Sequence, residues 1–218
     1  MNIRDVTLIA YTSIEFDATI RSLMKSSEQL DFGAIKLVSH EKPHNLPDKI
    51  QWEYGPFIRD IDDFNYYMFL EFGKHVDTSH ALYVQHHSGV LHPEMWNDDW
   101  LSYDFIGAPW GIIEGAYMAN DGTRSRVGND GFSLKSKKLL DIPKENSMYL
   151  REEQGWKNID GNTCCYWKKE MLELGVKYAP VEVAAKFSFE NYVPENVGIG
   201  KVFGFHRHLP YWEKRLNE

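Results

Sequence analysis

The first forty residues combine two apolar runs with a helical pattern, and together they predict a strand–helix–strand unit. Val6–Thr12 is a near-continuous run of β-forming apolar residues, which is typical of a strand buried on both faces. Apolar residues at helical spacing follow over Phe16–Leu30, and Gly33–His40 is predicted as a second strand. Such a crossover joins parallel strands, so we expect Thr12 and Ser13 at the carboxyl edge of a sheet, where α/β proteins bind ligands.

The rest of the chain is predicted to add short helices and strands to the same sheet. Ile61–His75 has the apolar spacing of a helix, with Asp62 or Asp63 as its N-cap, and it follows a proline-rich loop at Glu41–Pro56. Ala81–Gln85 is predicted as a short central strand. The later elements are two strands, three helices and a helical turn, over Asp104–Ile106, Lys177–Pro180, Ser136–Leu140, Asp160–Leu174, Val181–Phe189 and Pro93–Trp100. Because neither a repeat nor a linker interrupts them, residues 1–218 are predicted to form a single α/β domain with a central, mostly parallel sheet flanked by helices.

Two glycine-containing segments flank a polar stretch in the second half of the chain. They are Tyr103–Trp110 and Gly128–Ser136, and the polar stretch Gly111–Val127 lies between them. Glycine is favoured where a chain turns sharply, so both segments are predicted to contain turns. The stretch between them is predicted to be a mobile loop that closes over a substrate.

The composition supports a folded core and argues against a nucleic-acid-binding surface. Hydrophobic residues make up 43% of the chain, which is enough for a full core, and aromatic residues make up 14%. The formal net charge of −8 opposes a surface that neutralises many phosphates, although it permits a local basic pocket for one diphosphate.

The cysteines and the hydropathy favour a reduced, cytoplasmic protein. Cys164 and Cys165 are adjacent and are the two cysteines of the chain, so they predict neither a disulfide framework nor a structural zinc site. The apolar run near the N-terminus is too short for a signal peptide, and no apolar stretch has the length of a membrane-spanning helix.

Histidines follow the predicted central strand and recur close to the C-terminus. His86 and His87 come directly after Gln85, a position from which side chains of α/β proteins bind metals or act as acids and bases. His206 and His208 lie in a glycine-flanked segment that is predicted to be a turn, and divalent metals often draw ligands from such remote segments. A metal site that joins the two segments is one hypothesis, and a purely structural role for these imidazoles is the other.

Carboxylates near residue 160 are the candidate acids and bases. Asp160 begins a predicted helix, which suits an N-cap and also suits a base that takes a proton from a sugar hydroxyl. Glu152 and Glu153 are the other carboxylates of this region. The chain contains neither a Walker loop nor a G-x-G-x-x-G, G-x-S-x-G or H-E-x-x-H motif, so P-loop, Rossmann, α/β-hydrolase and zincin chemistry are disfavoured.

Five segments of the chain together resemble one protein family. In chain order they are Y-V-Q-H-H-S-G-V-L-H-P-E-M-W, L-S-Y-D-F-I-G-A-P-W, V-G-N-D-G-F-S-L-K-S-K-K-L-L, Y-A-P-V-E-V-A-A-K-F-S-F-E and F-G-F-H. They are similar to a family of GT-A-type glycosyltransferases of microbes and viruses, with motifs Y-D-x-I-G-A-P-W and G-N-x-G-F-S-L-[KR]-S. The resemblance covers residues 5–208. It implies a GT-A-like domain that binds a nucleotide-diphospho-sugar donor, usually with Mn²⁺ or Mg²⁺ on the diphosphate.

The chain departs from the family pattern at three positions. His87 stands where the family has a metal-binding aspartate, Asp130 replaces a glycine, and Ile159 replaces the first residue of a Glu-Asp pair that ends in Asp160. Glu152 and Glu153 are an alternative placement of that pair. The family's late histidine falls on His206, so the resemblance implies His87 and His206 as ligands of a cation or of the diphosphate. Histidine can ligate Mn²⁺ but supplies no negative charge.

The resemblance also implies an activity and a role for each site residue. The chain is expected to move a hexose or pentose from the donor to a hydroxyl of a glycan or another acceptor. Thr12 would bind the nucleotide, Arg126 would assist the diphosphate, and Asp160 would deprotonate the acceptor hydroxyl. The sugar pocket is expected to contain Trp110, Gly128, Asn129, Asp130 and Gly131.

Two other functions remain open at this point. The departures at His87, Asp130 and Ile159 would also suit a non-catalytic module that binds a nucleotide or a glycan. A metal hydrolase based on His86, His87, His206 and His208 is the second alternative. The acidic composition gives no support to a nucleic-acid acceptor.

Overall fold

The protein folds around a six-stranded sheet and a three-stranded sheet. This computed structural model describes residues 1–152 and 157–207. The larger sheet has the order β3-β2-β1-β4-β7-β6, and the smaller has the order β5-β9-β8. The strands are β1 (Asn2–Tyr11), β2 (Asp31–Ser39), β3 (Gln51–Tyr54), β4 (His80–Val84), β5 (Ser88–Val90), β6 (Phe105–Pro109), β7 (Val127–Ser136), β8 (Ser188–Phe189) and β9 (Gly204–His206). The helices are α1 (Phe16–Ser26), α2 (Ile61–Leu70), α3 (Lys137–Glu145), α4 (Ile159–Gly161), α5 (Lys168–Glu173) and α6 (Val181–Phe187).

Strand β1 occupies the middle of the larger sheet because its side chains are apolar on both faces. Val6, Leu8 and Ile9 are fully buried, as the continuous apolar run predicts. β1 pairs in parallel with β2 and β4, and β3 extends this parallel set beyond β2. β7 and β6 then add antiparallel to β4. The predicted α/β fold, with a central and mostly parallel sheet flanked by helices, is therefore confirmed.

The first half of the chain differs from the sequence prediction only in detail. The predicted loop contains β3, whose four residues pair in register with the end of β2. The helix predicted over Ile61–His75 stops at Leu70 and continues as a 3₁₀ turn at Phe72–His75. Its N-cap is Asp60, whose side chain accepts a hydrogen bond from the amide of Asp63, so the prediction of Asp62 or Asp63 as the cap was wrong.

The two predicted glycine turns are strands, and this is the largest correction. The backbone of these two segments is extended and buried throughout. It contains Gly107 in β6, and Gly128 and Gly131 in β7. A Cβ at Gly107 would overlap the carbonyl oxygen of Asn129, one at Gly128 would overlap the indole of Trp110, and one at Gly131 would overlap the imidazole of His206. These glycines are required for close approach of neighbouring groups, not for a turn.

The C-terminal third contains shorter elements than predicted. The helix expected over Asp160–Leu174 is divided into α4, a π-helical turn at Asn162–Tyr166, and α5. The expected strand at Lys177–Pro180 is a single parallel bridge between Tyr178 and Phe105. The predicted turn around His206 is strand β9, which pairs with both β5 and β8.

The two cysteines are buried free thiols, and burial raises the pKa of Cys164. In the described ranges, we find no helix that combines the length and the apolar character required to cross a membrane.

Candidate functional site

A cavity of about 360 Å³ opens at the carboxyl ends of β1 and β4. This is the edge of the sheet at which the strand–helix–strand pattern places a ligand. The cavity is lined by Tyr11, Thr12, Ser13, Ile14, Ile58, Arg59, Asp60, Ile61, Phe64, Tyr83, Gln85, His86 and His87. Its apolar wall and its polar floor suit a ligand that has a ring at one end and polar or charged groups at the other.

Thr12 and Ser13 shape the first wall of the cavity through backbone contacts. The hydroxyl of Thr12 accepts hydrogen bonds from the amides of Glu15 at 3.1 Å and Ile14 at 3.4 Å. The hydroxyl of Ser13 accepts one from the amide of Ile58 at 3.0 Å, which ties the turn after β1 to the segment before α2. Thr12 therefore lies in the cavity, as predicted, with its hydroxyl occupied in holding the turn.

Three histidines form a connected row, of which His86 and His87 line the cavity. The Nδ1 of His87 lies 2.9 Å from the Nε2 of His86, and the Nε2 of His87 lies 3.1 Å from the Nε2 of His206. The Nε2 of His206 is also 3.3 Å from the Oε1 of Gln85. The antiparallel pairing of β5 with β9 places Ser88 opposite His206, and this register brings the two histidine segments together.

Glu190 is the residue that connects this row to β7, and sequence reasoning did not single it out. Its side chain is 3% exposed and accepts a hydrogen bond from the side-chain amide of Asn129. Its Oε1 lies 3.3 Å from the Nδ1 of His206 and 3.2 Å from the Nε of Arg207. The first of these contacts is close enough for an electrostatic interaction but is not a well-aligned hydrogen bond. The F-S-F-E segment of the resemblance was the sequence signal for this position.

Asp130 is buried and paired, although the family comparison placed it against the sugar. Its carboxylate forms an ion pair with Lys135 at 2.5 Å, and it accepts a hydrogen bond from the hydroxyl of Ser133 at 2.8 Å. The ammonium of Lys135 also lies 5.3 Å from the ring centroid of Tyr83. Both members of the pair belong to β7, which lies between β4 and β6. The negative charge of Asp130 is therefore balanced within the larger sheet.

Asp160 is a carboxyl group with a raised pKa. Burial raises its pKa to about 6, and the negative charges of Asp130 and Glu190 act in the same direction. Its Oδ1 accepts a hydrogen bond from the amide of Gly161 at 2.8 Å. The N-cap position of α4 belongs to Asn158, so the expectation that Asp160 caps this helix was wrong. A pKa near neutrality suits a group that exchanges a proton with a substrate.

Trp110 and Arg126 lie beside the first residues of β7. The indole of Trp110 packs on Gly128 and stacks on Tyr117, with ring centroids 4.4 Å apart. Arg126 donates a hydrogen bond to the carbonyl oxygen of Trp110 at 3.0 Å and pairs with Glu195 at 2.8 Å. Trp110 is therefore placed beside Gly128 and Asn129, whereas Arg126 lines a different cavity from the one that holds Thr12 and His87.

The predicted loop Gly111–Val127 is attached to the body of the protein at several points. Met118 and Arg124 form an antiparallel bridge, and the amide of Asn120 donates to the carbonyl oxygen of Cys165 at 3.0 Å. Ser125 is buried and donates to the carbonyl oxygen of Cys164. The exposed part of the loop contains Ile112 and Ile113.

Of the other predicted carboxylates, Glu152 lies outside the site. Glu152 is exposed and lies 3.4 Å from Lys157 in an ion pair. Glu153 and His208 fall outside the described residues.

The convergence of His87 and His206 fits a metal ion only in part. Two imidazole nitrogens and one amide oxygen suit Mn²⁺ better than Mg²⁺, which prefers a full set of oxygen ligands. Residues 1–152 and 157–207 contain no group of three histidine, cysteine, aspartate or glutamate side chains that could hold a metal. Any cation here would need further ligands from a bound molecule.

Comparison with solved structures supports the fold. The chain is similar to a glycosyltransferase involved in the glycosylation of the major capsid of PBCV-1, with 14% identity over 98% of this chain and 99% of that one and a TM-score of 0.50. It is also similar to the apo-form glycosyltransferase GlyE of Streptococcus pneumoniae, with 12% identity over 93% of this chain and 54% of that one and a TM-score of 0.48. A third match is the 4-diphosphocytidyl-2C-methyl-D-erythritol synthase of Anaerococcus prevotii, with 13% identity, 80% and 86% coverage, and a TM-score of 0.44. At these identities the likeness concerns the fold, which is GT-A-like.

Sequence comparison identifies the family. No curated protein matches the chain. Residues 56–206 match a family described as a protein of unknown function, DUF5672, and this range includes β4, β7, β9 and the whole histidine row. Since the match covers more than half of the 218 residues, the chain belongs to the DUF5672 family.

Proposed function

We propose that this chain is a glycosyltransferase that moves a sugar from a nucleotide-diphospho-sugar donor to an acceptor hydroxyl. The observation that carries the proposal is the cavity at the carboxyl ends of β1 and β4, which is lined by His87, and His87 in turn contacts His206. Its volume and its ring-lined wall suit a nucleoside, and the imidazoles lie where the attached diphosphate would extend. The GT-A-like fold, which solved glycosyltransferases share, agrees with this arrangement.

In the proposed complex, the base and ribose occupy the cavity between the turn after β1 and the start of α2. Ile14, Ile58 and Phe64 supply apolar contacts, and the fixed turn at Thr12 and Ser13 offers backbone groups to the ribose. The position is pre-formed, because the hydroxyls of both residues already hold the turn. A pre-formed pocket lowers the ordering cost of binding.

The diphosphate is proposed to lie against His87, His206 and Gln85. The side chain of Glu190 lies beside the Nδ1 of His206, which leaves the Nε2 of that ring directed to His87 and Gln85. A carboxylate beside one nitrogen of an imidazole ring fixes the direction in which the other ring nitrogen points. A divalent cation would contribute charge neutralisation at the leaving diphosphate, and no step here depends on it.

The sugar and the acceptor are proposed to meet between β7 and α4. Gly128 and Gly131 let Trp110 and His206 lie directly against β7, so these two rings, with Asn129 between them in sequence, would contact the sugar. Asp160 takes the proton of the acceptor hydroxyl, since its raised pKa places it near the pH at which a carboxylate is an efficient general base. Asp130 keeps Asp160 basic through its negative charge rather than by touching the sugar.

A thermal-shift panel of uridine, guanosine, cytidine and thymidine diphosphates, with and without Mn²⁺, tests the donor site. We expect stabilisation by one of them, because a ligand that binds only the folded state raises its stability by mass action. Turnover of the corresponding nucleotide-sugar should then fall by about 10²–10⁴-fold in Asp160→Asn, the range for loss of a general base. Asp99→Asn, at an exposed carboxylate that lines neither this cavity nor the one beside Arg126, is the matched control.

The results separate the proposal from its alternative. No stabilisation by any diphosphate would reject a nucleotide-sugar donor. Stabilisation without turnover of any nucleotide-sugar would support a binding module, which the internal pairing of Asp130 with Lys135 favours as the second candidate. Full transfer activity in Asp160→Asn would remove Asp160 from the mechanism.

A further inference from the structure

A second cavity of about 190 Å³ lies at the outer edge of the larger sheet, between the end of the Gly111–Val127 loop, α5 and the start of α6. Its walls share no residue with the cavity described above. They are formed by Ser125, Arg126, Val127, Lys168, Tyr178, Ala179, Pro180 and Val181. The volume corresponds to about six water molecules at the volume each occupies in the liquid.

Lys168 lines this cavity and forms no ion pair within 4 Å in the described part of the chain, although its charge contributes, after the hydrogen bond from Thr123, to the lowered pKa of Asp121. Its ammonium lies 3.1 Å from the hydroxyl of Ser125 and 3.4 Å from that of Thr123, and 5.9 Å from the ring centroid of Tyr178. The Asp121 carboxylate is bound instead by Thr123, through its hydroxyl at 2.6 Å and its amide at 2.8 Å. A half-buried cation with only hydroxyl partners is an attractive position for an anion.

The other polar groups of the cavity do not neutralise Lys168. Arg126 is compensated by Glu195, whose pKa its guanidinium lowers, so this pair contributes no net charge. The hydroxyl of Tyr178 donates to the carbonyl oxygen of Thr163 at 2.7 Å, and burial raises its pKa, so it stays neutral. The lining of the cavity therefore contains two cations, Lys168 and Arg126, and no carboxylate, whereas the carboxylates that act on them, Asp121 and Glu195, lie outside the lining.

We propose that this cavity is an oxyanion-binding site, which takes a phosphate, sulfate or carboxylate group of a small molecule. Lys168 supplies the charge, and the guanidinium of Arg126 supplies N–H donors beyond those already bound to Trp110 and Glu195. A single tetrahedral anion would leave part of the volume for the group that carries it. The site is separate from the nucleotide cavity and does not depend on the proposed transferase activity.

Calorimetric titration with inorganic phosphate and with sulfate, against sodium chloride at equal ionic strength, tests this proposal. We expect the wild-type protein to bind phosphate, and we expect Lys168→Gln to weaken binding by about tenfold or more. Lys168→Arg should retain most of the affinity, because it keeps the charge. Lys169→Gln is the matched control, since Lys169 is the exposed neighbour of Lys168 in the same helix.

A second variant keeps the test decisive if Lys168→Gln is unstable. Val181→Glu adds a carboxylate to the cavity wall at the first position of α6, where an acidic residue is compatible with the helix. It should abolish phosphate binding while leaving binding of a nucleoside diphosphate at the first cavity unchanged. Absence of phosphate, sulfate and acetate binding by the wild-type protein would overturn the proposal. Phosphate binding that persists in Lys168→Gln but is lost in His206→Ala would place the anion in the nucleotide cavity and would overturn it equally.

Discussion

Asp160 lowers the stability of the folded protein at neutral pH, which is the expected cost of the role that we propose for it. Its ionised form is disfavoured in the folded protein by burial and by the charges of Asp130 and Glu190, which raise its pKa from 3.8 to about 6. Between these two pH values the folded protein holds a proton that the unfolded chain releases, so this residue makes stability fall as the pH rises. Above pH 6 the full cost is present.

Replacement of Asp160 by Asn should therefore stabilise the protein in neutral and alkaline solution. The asparagine keeps an oxygen for the amide of Gly161 and carries no charge. We expect a gain of up to about 3 kcal/mol in the free energy of unfolding at about pH 8, and almost none at about pH 3, where the carboxyl group of Asp160 is protonated in both the folded and the unfolded protein. Urea denaturation at the two pH values measures the difference. Equal or lower stability of the variant at the higher pH would show that the ionised carboxylate of Asp160 does not destabilise the folded protein.

The strands β6 and β7 are examples of elements whose glycines are set by their neighbours. Gly107 lies against the backbone carbonyl of Asn129 in the adjacent strand, at a place where the register of the two strands shifts. A rigid carbonyl cannot move aside as the end of a flexible side chain can. Gly131 faces the imidazole of His206 and so sets how closely β9 approaches β7.

A substitution of Gly107 by Ala should destabilise the sheet by about 1–3 kcal/mol or more, because the added methyl forces β6 and β7 apart. Gly111 is the control: a Cβ there meets nothing within 4 Å, so Gly111→Ala should change stability by less than about 1 kcal/mol. The free energies of unfolding in urea give both values. A tolerated Gly107→Ala would mean that the strands do not approach as closely as the structure shows.

At the scale of the whole molecule, the small sheet is fastened to the large one through side chains. The amide of Val90 in β5 donates to the hydroxyl of Ser26 at the end of α1 at 3.1 Å, and Phe132 of β7 packs against Gly204 of β9. One continuous hydrophobic cluster runs from Ile3 to Phe203 among the described residues. The two sheets therefore share a core, and the cavity with its histidine row lies where they meet.

A shared core predicts that residues 1–218 unfold as a single domain. We expect one calorimetric transition, with the van't Hoff enthalpy equal to the measured enthalpy, because neither sheet buries its apolar face without the other. Differential scanning calorimetry, with circular dichroism and tryptophan fluorescence as two further probes, makes the measurement. Two separate transitions would contradict the single-domain prediction.

Local pattern in the sequence determined the first three elements and the edge of the sheet at which the cavity opens. The apolar run of β1 and the helical spacing of α1 predicted the parallel opening, since both are set by neighbours a few residues away. The position of His87 directly after β4 was enough to propose it for the site. The glycines of β6 and β7 also stand out in the sequence. They were predicted to form turns, because residue spacing alone does not show which strands pair with each other.

The tertiary structure alone decided the contacts that make the site. Glu190 reaches Asn129 across 61 residues of sequence, and His87 reaches His206 across 119. Asp130 could be seen as a departure from a motif, but only the fold showed that its charge is paired with Lys135 and coupled to Asp160. Burial and electrostatic coupling depend on what packs around a residue, and strands distant in the chain supply that surrounding here. The sequence therefore indicated most of the candidate site residues, and the packing of β7, β9 and α4 determined how their charges act on one another.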